Sequence, residues 1–211
     1  VNTATRMRAG GGPFPPLRVD RSFTTRLDLG EGADQVQLYH FGAGHTDGDA
    51  FVFFPAARTM MAGDIYAWQM APLIDYASGG SALALPSTLT AAFYEVPNAD
   101  RVIQGHGDVS TRGEFLDYVT FNRALVNVAE ATVQRGGTED EAMATLAAIP
   151  GFAGFMGAER KPGLEYGGTP RSRVRINLRT AMQELRGEQA ATIMNLPPDQ
   201  QQAILEELGG D

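Results

Sequence analysis

Five short segments rich in β-branched and aromatic residues follow one another through the first half of the chain: "SFTTRLDL" at 22–29, "QVQLYHF" at 35–41, "AFVFFP" at 50–55, "RTMMAG" at 58–63 and "DRVIQG" at 100–105. Runs of this length and composition read as β-strands. The first two alternate apolar and polar residues, as half-buried strands do, whereas "AFVFF" is continuously apolar and is expected to be buried on both faces. Between the fourth and fifth strands, "PSTLTAAFYEVP" predicts a helix with Ser87 as its N-cap after Pro86. A strand, helix, strand order of this kind implies an α/β unit.

After residue 110 the pattern becomes helical. Thr111 and Glu114 form a capping-box pair, and Phe115, Val119, Val126, Ala129 and Val133 recur at helical spacing until Gly136 and Gly137. Thr138 and Glu141 repeat that signature for a shorter helix ending before Pro150. Val174, Leu178, Met182 and Leu185 mark another helix up to Gly187, and Pro198 to Leu208, closed by Gly209, reads as a last small acidic one. "GGGPFPPLRVD" at 10–20 is punctuated too heavily for helix or central strand and is expected to be a loop. Residues 151–172, rich in glycine and proline with Arg160, Lys161, Arg171 and Arg173 nearby, are expected to form a solvated basic loop, with anion binding as the lesser alternative.

The chain has 211 residues, 43 % of them hydrophobic, enough for one ordinary domain or a large piece of one. Seventeen basic residues against twenty-five acidic ones give a net charge of -8, which repels a phosphate backbone and argues against nucleic acid as a partner. Zero cysteines exclude disulfides, thiolate metal sites and a cysteine nucleophile, while fitting either redox compartment. No run of eighteen apolar residues occurs, and "VNTATRMRAGGG" offers no signal-peptide core, so membrane insertion is not expected. Composition leaves compartment and oligomeric state open.

Two of the three histidines and one aspartate share a context. His45, Asp64 and His106 each follow a predicted strand within a few residues, and each sits among glycines, in "GAGHTDG", "MAGDIY" and "QGHGD". Functional residues of α/β sheets gather on loops beyond the carboxyl ends of strands, and glycine there permits close approach. Two imidazoles and a carboxylate form a zinc-type donor set, too nitrogen-rich for calcium or magnesium. Each residue alone also fits a plainer role, the histidines as hydrogen-bonded turn residues and Asp64 as a cap. His40, within "QVQLYHF", is expected to be packed or exposed on the sheet rather than coordinating.

"HFGAGHTDGDAFVFFP", "MMAGDIYAWQMAPLIDYASGGS" and "VIQGHGDVST" resemble, in order and spacing, the later half of the metallo-β-lactamase superfamily of zinc hydrolases. The resemblance covers roughly residues 20–130. It implies an α/β chain forming the later portion of an αβ/βα sandwich, with a partial metallo-β-lactamase-like domain at 1–135 and a helical extension at 136–211. Carried over, it implies two zinc ions in the complete site, with other divalent metals such as iron or manganese as the alternative, and places His45 on the first metal, Asp64 bridging both at the catalytic centre, and His106 on the second. The family hallmark, His-x-His-x-Asp-His, is not in this chain, and the expectation is that it lies in a segment upstream of Val1. The resemblance further implies a metal-activated hydroxide as nucleophile, and an aspartate at the bridging position resembles the thioesterase and lactonase branches. A small-molecule ester, thioester or lactone is therefore the expected substrate.

Ile65, Tyr66, Trp68 and Met70 follow Asp64; Tyr66 and Trp68 are the candidate pocket residues, with packing of the loop onto the body as the competing role. By itself a chain of this extent is expected to hold zinc weakly and to be catalytically inert. The rival expectation is a metal-free binding module that kept the fold without the chemistry.

Overall fold

A computed structural model describes residues 19–157 and 168–188 of the chain. The five strand segments form β1 (Arg26–Leu29), β2 (Val36–Tyr39), β3 (Phe51–Phe54), β4 (Thr59–Gly63) and β5 (Arg101–Gln104), and a sixth strand, β6 (Val109–Thr111), follows them. All six lie in one sheet in chain order. Every neighbouring pair is antiparallel except β4 and β5, which run parallel. A parallel pair needs a long crossover, and the chain supplies it with α1 (Leu85–Glu95). Helices α2 (Arg112–Gln134), α3 (Glu139–Ala147) and α4 (Pro170–Leu185) complete the described fold, a mixed α/β architecture.

The two capping boxes form as expected. Thr111 accepts from the Glu114 N–H at 3.2 Å while the Glu114 carboxylate accepts from the Thr111 N–H at 2.7 Å, and Thr138 with Glu141 does the same. Helix α1 differs from expectation: its N-cap is Ala84, and Ser87 lies inside the helix. Proline lacks only an N–H that the first turn does not use, so Pro86 sits within that turn instead of preceding it. The Ser81 hydroxyl, upstream, accepts from the Ala84 N–H at 3.1 Å.

One face of the sheet carries Phe51, Phe53, Met60 and Val102, all buried in a cluster that extends through Leu89 of α1, Phe115 and Leu125 of α2, Leu146 of α3 and Leu178 of α4. The opposite face is also apolar. Leu27, Leu38, Val52, Met61, Ile103 and Val109 are successive cross-strand partners in an unbroken row through all six strands. Met61 is 43 % exposed and Val109 58 % exposed, so this face is only partly covered. The expectation for "AFVFF" is corrected accordingly: Phe51 and Phe53 are buried on the helix side, Val52 is half-buried and Phe54 is exposed.

Arg171 and Arg173 do not belong to a solvated loop; both lie in the first turns of α4, whose box is made by Thr169 and Ser172. Most of the expected loop at 10–20, the basic residues Arg160 and Lys161, and the expected helix at 198–208 lie outside the described residues. No helix among the described residues is long and apolar enough to cross a membrane.

Candidate metal centre

Strand direction decides where the three candidate residues go. Because β4 and β5 are parallel, their carboxyl ends share an edge, and Asp64 and the His106 loop leave from there. Strands β2 and β3 are antiparallel to each other, and β3 to β4, so the loop from β2 to β3 that carries His45 opens at that same edge.

At this edge the His106 Nε2 lies 3.5 Å from the Asp64 Oδ1, with the two side chains 71 % and 48 % exposed. Glycine makes that approach possible. The register of β4 shifts between Met61 and Gly63, Gly63 turns out of the strand at a φ of 65°, and its carbonyl accepts the Gly105 N–H at 2.8 Å. A methyl group at Gly105 would overlap the Asp64 carboxylate, so the chain preceding His106 must be bare here.

His45 is held from the other side. Its Nδ1 lies 2.6 Å from the Leu73 carbonyl and its own carbonyl accepts the Asp75 N–H at 2.8 Å, which ties it to the long loop that begins at Asp64. A carbonyl only accepts, so Nδ1 carries a proton, and in the neutral ring Nε2 is then the nitrogen with the lone pair, the tautomer arrangement of a metal-ligating histidine. Gly44 rests on the Ile65 side chain, directly after Asp64. Asp49 closes the turn by accepting from both the N–H and the hydroxyl of Thr46, at 3.0 and 2.8 Å, and its burial pushes the carboxyl above the usual range. His40 faces another partner, with Nδ1 at 2.8 Å from the Asp49 carbonyl.

No family model matches this chain, and no curated protein matches it. Among solved structures, a metallo-β-lactamase from Pontibacter korlensis superposes with a TM-score of 0.50 at 18 % identity, over 58 % of this chain and 56 % of that one. The DIM-1 metallo-β-lactamase gives a TM-score of 0.50 at 16 % identity with the same shares. This chain has the metallo-β-lactamase fold over about 58 % of its length. It spans little more than half the length of the structures it matches.

A metallo-β-lactamase fold implies a metal, and Asp64 with His106 fits one. Two donors each about 2.0–2.2 Å from a tetrahedral zinc would stand about 3.3–3.6 Å apart, a spacing that the 3.5 Å between the Asp64 Oδ1 and the His106 Nε2 matches. Beyond this pair, no group of three histidine, aspartate or glutamate side chains that could hold a metal ion assembles among the described residues. The structure therefore brings Asp64 and His106 together and leaves His45 outside a three-donor set.

Of the two pocket candidates, Tyr66 is fully buried, its ring edge-on to Phe115 and Tyr118 at 5.2 and 4.9 Å, and Ile65 and Met70 are buried with it. Tyr66 is core, because its neighbours on α2 leave it no open surface. Trp68 is half-buried and edge-on to Phe155 at 5.5 Å. Two further residues act on the Asp64 loop without a local sequence signal for it. Burial lowers the Arg173 guanidinium to about 10, with Tyr118 and Asp64 drawing it back up, so a cation of α4 stands in the field of Asp64. Gln104 accepts the Trp68 N–H at 2.8 Å. The start of α4 could have been found from Thr169 and Pro170, a cap followed by a proline in the first turn.

Proposed function

We propose that the chain belongs to a zinc-dependent hydrolase in which Asp64, His106 and His45 are the ligands this sequence supplies, and that the bond cleaved is an ester, thioester or lactone. The observation that carries the reading is the 3.5 Å approach of Asp64 to His106 at an edge where three glycine-bearing loops meet.

Each residue brings a distinct property. Asp64 is a carboxylate with two oxygens, able to serve two cations at once, and Gly105 keeps the space beside it clear. His106 would hold metal through Nε2, the nitrogen that faces Asp64. His45 is preset by the Leu73 carbonyl to offer Nε2. Zinc held by these residues would supply Lewis acidity and lower the pKa of a coordinated water. Trp68 offers an apolar surface at the start of the loop, suited to an acyl group, and we assign the pocket wall to it rather than to Tyr66. The remaining ligands, and the division into a lactamase-like part at 1–135 and a helical part at 136–211, belong to the same proposal.

The test is zinc content after dialysis against a zinc buffer, together with turnover on a panel of esters, thioesters and lactones, for the chain in its full natural context. Wild type should take up zinc and turn over at least one substrate class, and Asp64→Ala with His106→Ala should lose both. Unchanged zinc content in the double variant would remove these residues from the site. Small-molecule binding without zinc or turnover would favour a metal-free binding module.

A further inference from the structure

We propose that Gln104 is the positioning residue that sets the spacing between Asp64 and His106; its consequence for metal binding rests on reading those two residues as ligands. Gln104 is the last residue of β5 and its side chain is buried, at 7 % exposure, on the core side of the sheet. One end of its amide reaches the Asp64 loop, where Oε1 accepts the Trp68 N–H at 2.8 Å. The other end reaches the His106 loop, where Nε2 donates to the Asp108 carbonyl at 2.8 Å. A single side chain thereby spans both loops, four residues beyond Asp64 and two beyond His106.

The chemistry of the link requires an amide. It must accept at one end and donate at the other, which a carboxylate cannot do, while a hydrocarbon of the same length can do neither. Asparagine is one methylene shorter. Removing the amide leaves the Trp68 N–H and the Asp108 carbonyl without this partner and takes away a side-chain link between the two loops, whose bases stay tied by the bond from Gly105 to Gly63.

Gly107 supports the same conclusion independently. Its φ of 122° lies in the region that side chains avoid, and a methyl group there would stand 2.8 Å from the Gln104 Nε2 and 3.0 Å from its Cδ. The loop carrying His106 is thus folded down over the Gln104 amide, and glycine is what lets it close. A buried glutamine that merely satisfied its own hydrogen bonds would contribute stability; this one also fixes how far apart two exposed side chains stand.

The experiment compares wild type with Gln104→Met, which keeps the length and removes both hydrogen bonds, and Gln104→Glu, which keeps an acceptor for the Trp68 N–H and removes the donor to the Asp108 carbonyl. Circular dichroism reports folding. In metal-free protein the ring-proton resonances of the three histidines and the fluorescence of Trp68, the one tryptophan, report loop geometry. Titration with Zn2+ and the visible absorption of Co2+ report the site. Both variants should shift the His106 resonances and Trp68 emission while leaving His40 in place, weaken Zn2+ about 10–100-fold and alter the Co2+ bands.

Folded variants with wild-type His106 resonances, Trp68 emission and Zn2+ affinity would overturn the proposal. If Gln104→Met does not fold, Gln104→Glu decides alone. If wild type takes up no Zn2+, the metal reading fails, and Gln104 is still judged by the His106 and Trp68 signals of the metal-free protein.

Discussion

The Glu184 carboxylate accepts the Ser81 hydroxyl at 2.7 Å, joining α4 to a loop 103 residues earlier in the chain. It also accepts the Ala82 N–H at 2.7 Å, and the Ser81 N–H in turn donates to the Gly44 carbonyl at 3.0 Å, next to His45. The last described helix therefore holds the base of the His45 loop. Glu184→Ala strands both donors, so the folded state should lose about 1–3 kcal/mol, read as a lower urea midpoint. Glu184→Gln keeps one acceptor oxygen and should lose less. An unchanged midpoint for Glu184→Ala would show that solvent replaces the tether.

Asp64 and His40 should separate function from fold. Asp64 is 48 % exposed on a loop, so Asp64→Ala should leave the urea midpoint within about 0.5 kcal/mol of wild type and lower zinc uptake at least about tenfold. His40 is half-buried, with its ring on the Asp49 carbonyl at 2.8 Å, so His40→Ala should cost about 1 kcal/mol and leave zinc uptake unchanged. Equal effects of the two substitutions on zinc uptake would contradict this division.

How much of this was legible in the sequence follows from the range of the forces involved. Five of six strands and the boxes at Thr111 and Thr138 are local signals, so they could be read; β6, three residues long, is too short to show a period. Asp64 and His106 could be read as neighbours because the segment at 86–97 implies a crossover, and a crossover makes two strands parallel. The bonds from His45 to Leu73, from Gln104 to Trp68 and from Glu184 to Ser81 leave no such mark, since each joins distant residues whose types are individually unremarkable. Arg173 precedes Val174, the first residue of the apolar stripe, so the stripe alone places the helix start too late, although Thr169 and Pro170 signal it. "AFVFF" misled in a different way: apolarity on both faces reports what a strand can bury, and here one face is left partly open.

That open face has a measurable consequence. The row from Leu27 to Val109 includes Met61 and Val109, both exposed, and an apolar strip of this kind binds environment-sensitive apolar dyes in the folded state. Replacing Met61 and Val109 together by lysine should lower the fluorescence of bound anilinonaphthalene sulfonate several-fold while moving the urea midpoint by less than about 1 kcal/mol. Dye binding equal to wild type would place the apolar surface elsewhere.

The sharpest test of the edge geometry is Gly105→Ala. A methyl group at this position overlaps the Asp64 Oδ1 and comes within 2.9 Å of the Asp64 backbone nitrogen, so the carboxylate has to leave the place from which it faces His106. Gly105 follows β5 directly and its φ lies outside the left-handed region, so the substitution tests crowding rather than backbone strain. The sheet itself ends before this residue. Gly105→Ala should therefore bind zinc as poorly as Asp64→Ala, while its urea midpoint stays within about 1 kcal/mol of wild type. Folded protein with wild-type zinc affinity would mean that the Asp64 carboxylate does not act from the position described, and the pairing with His106 would lose its role.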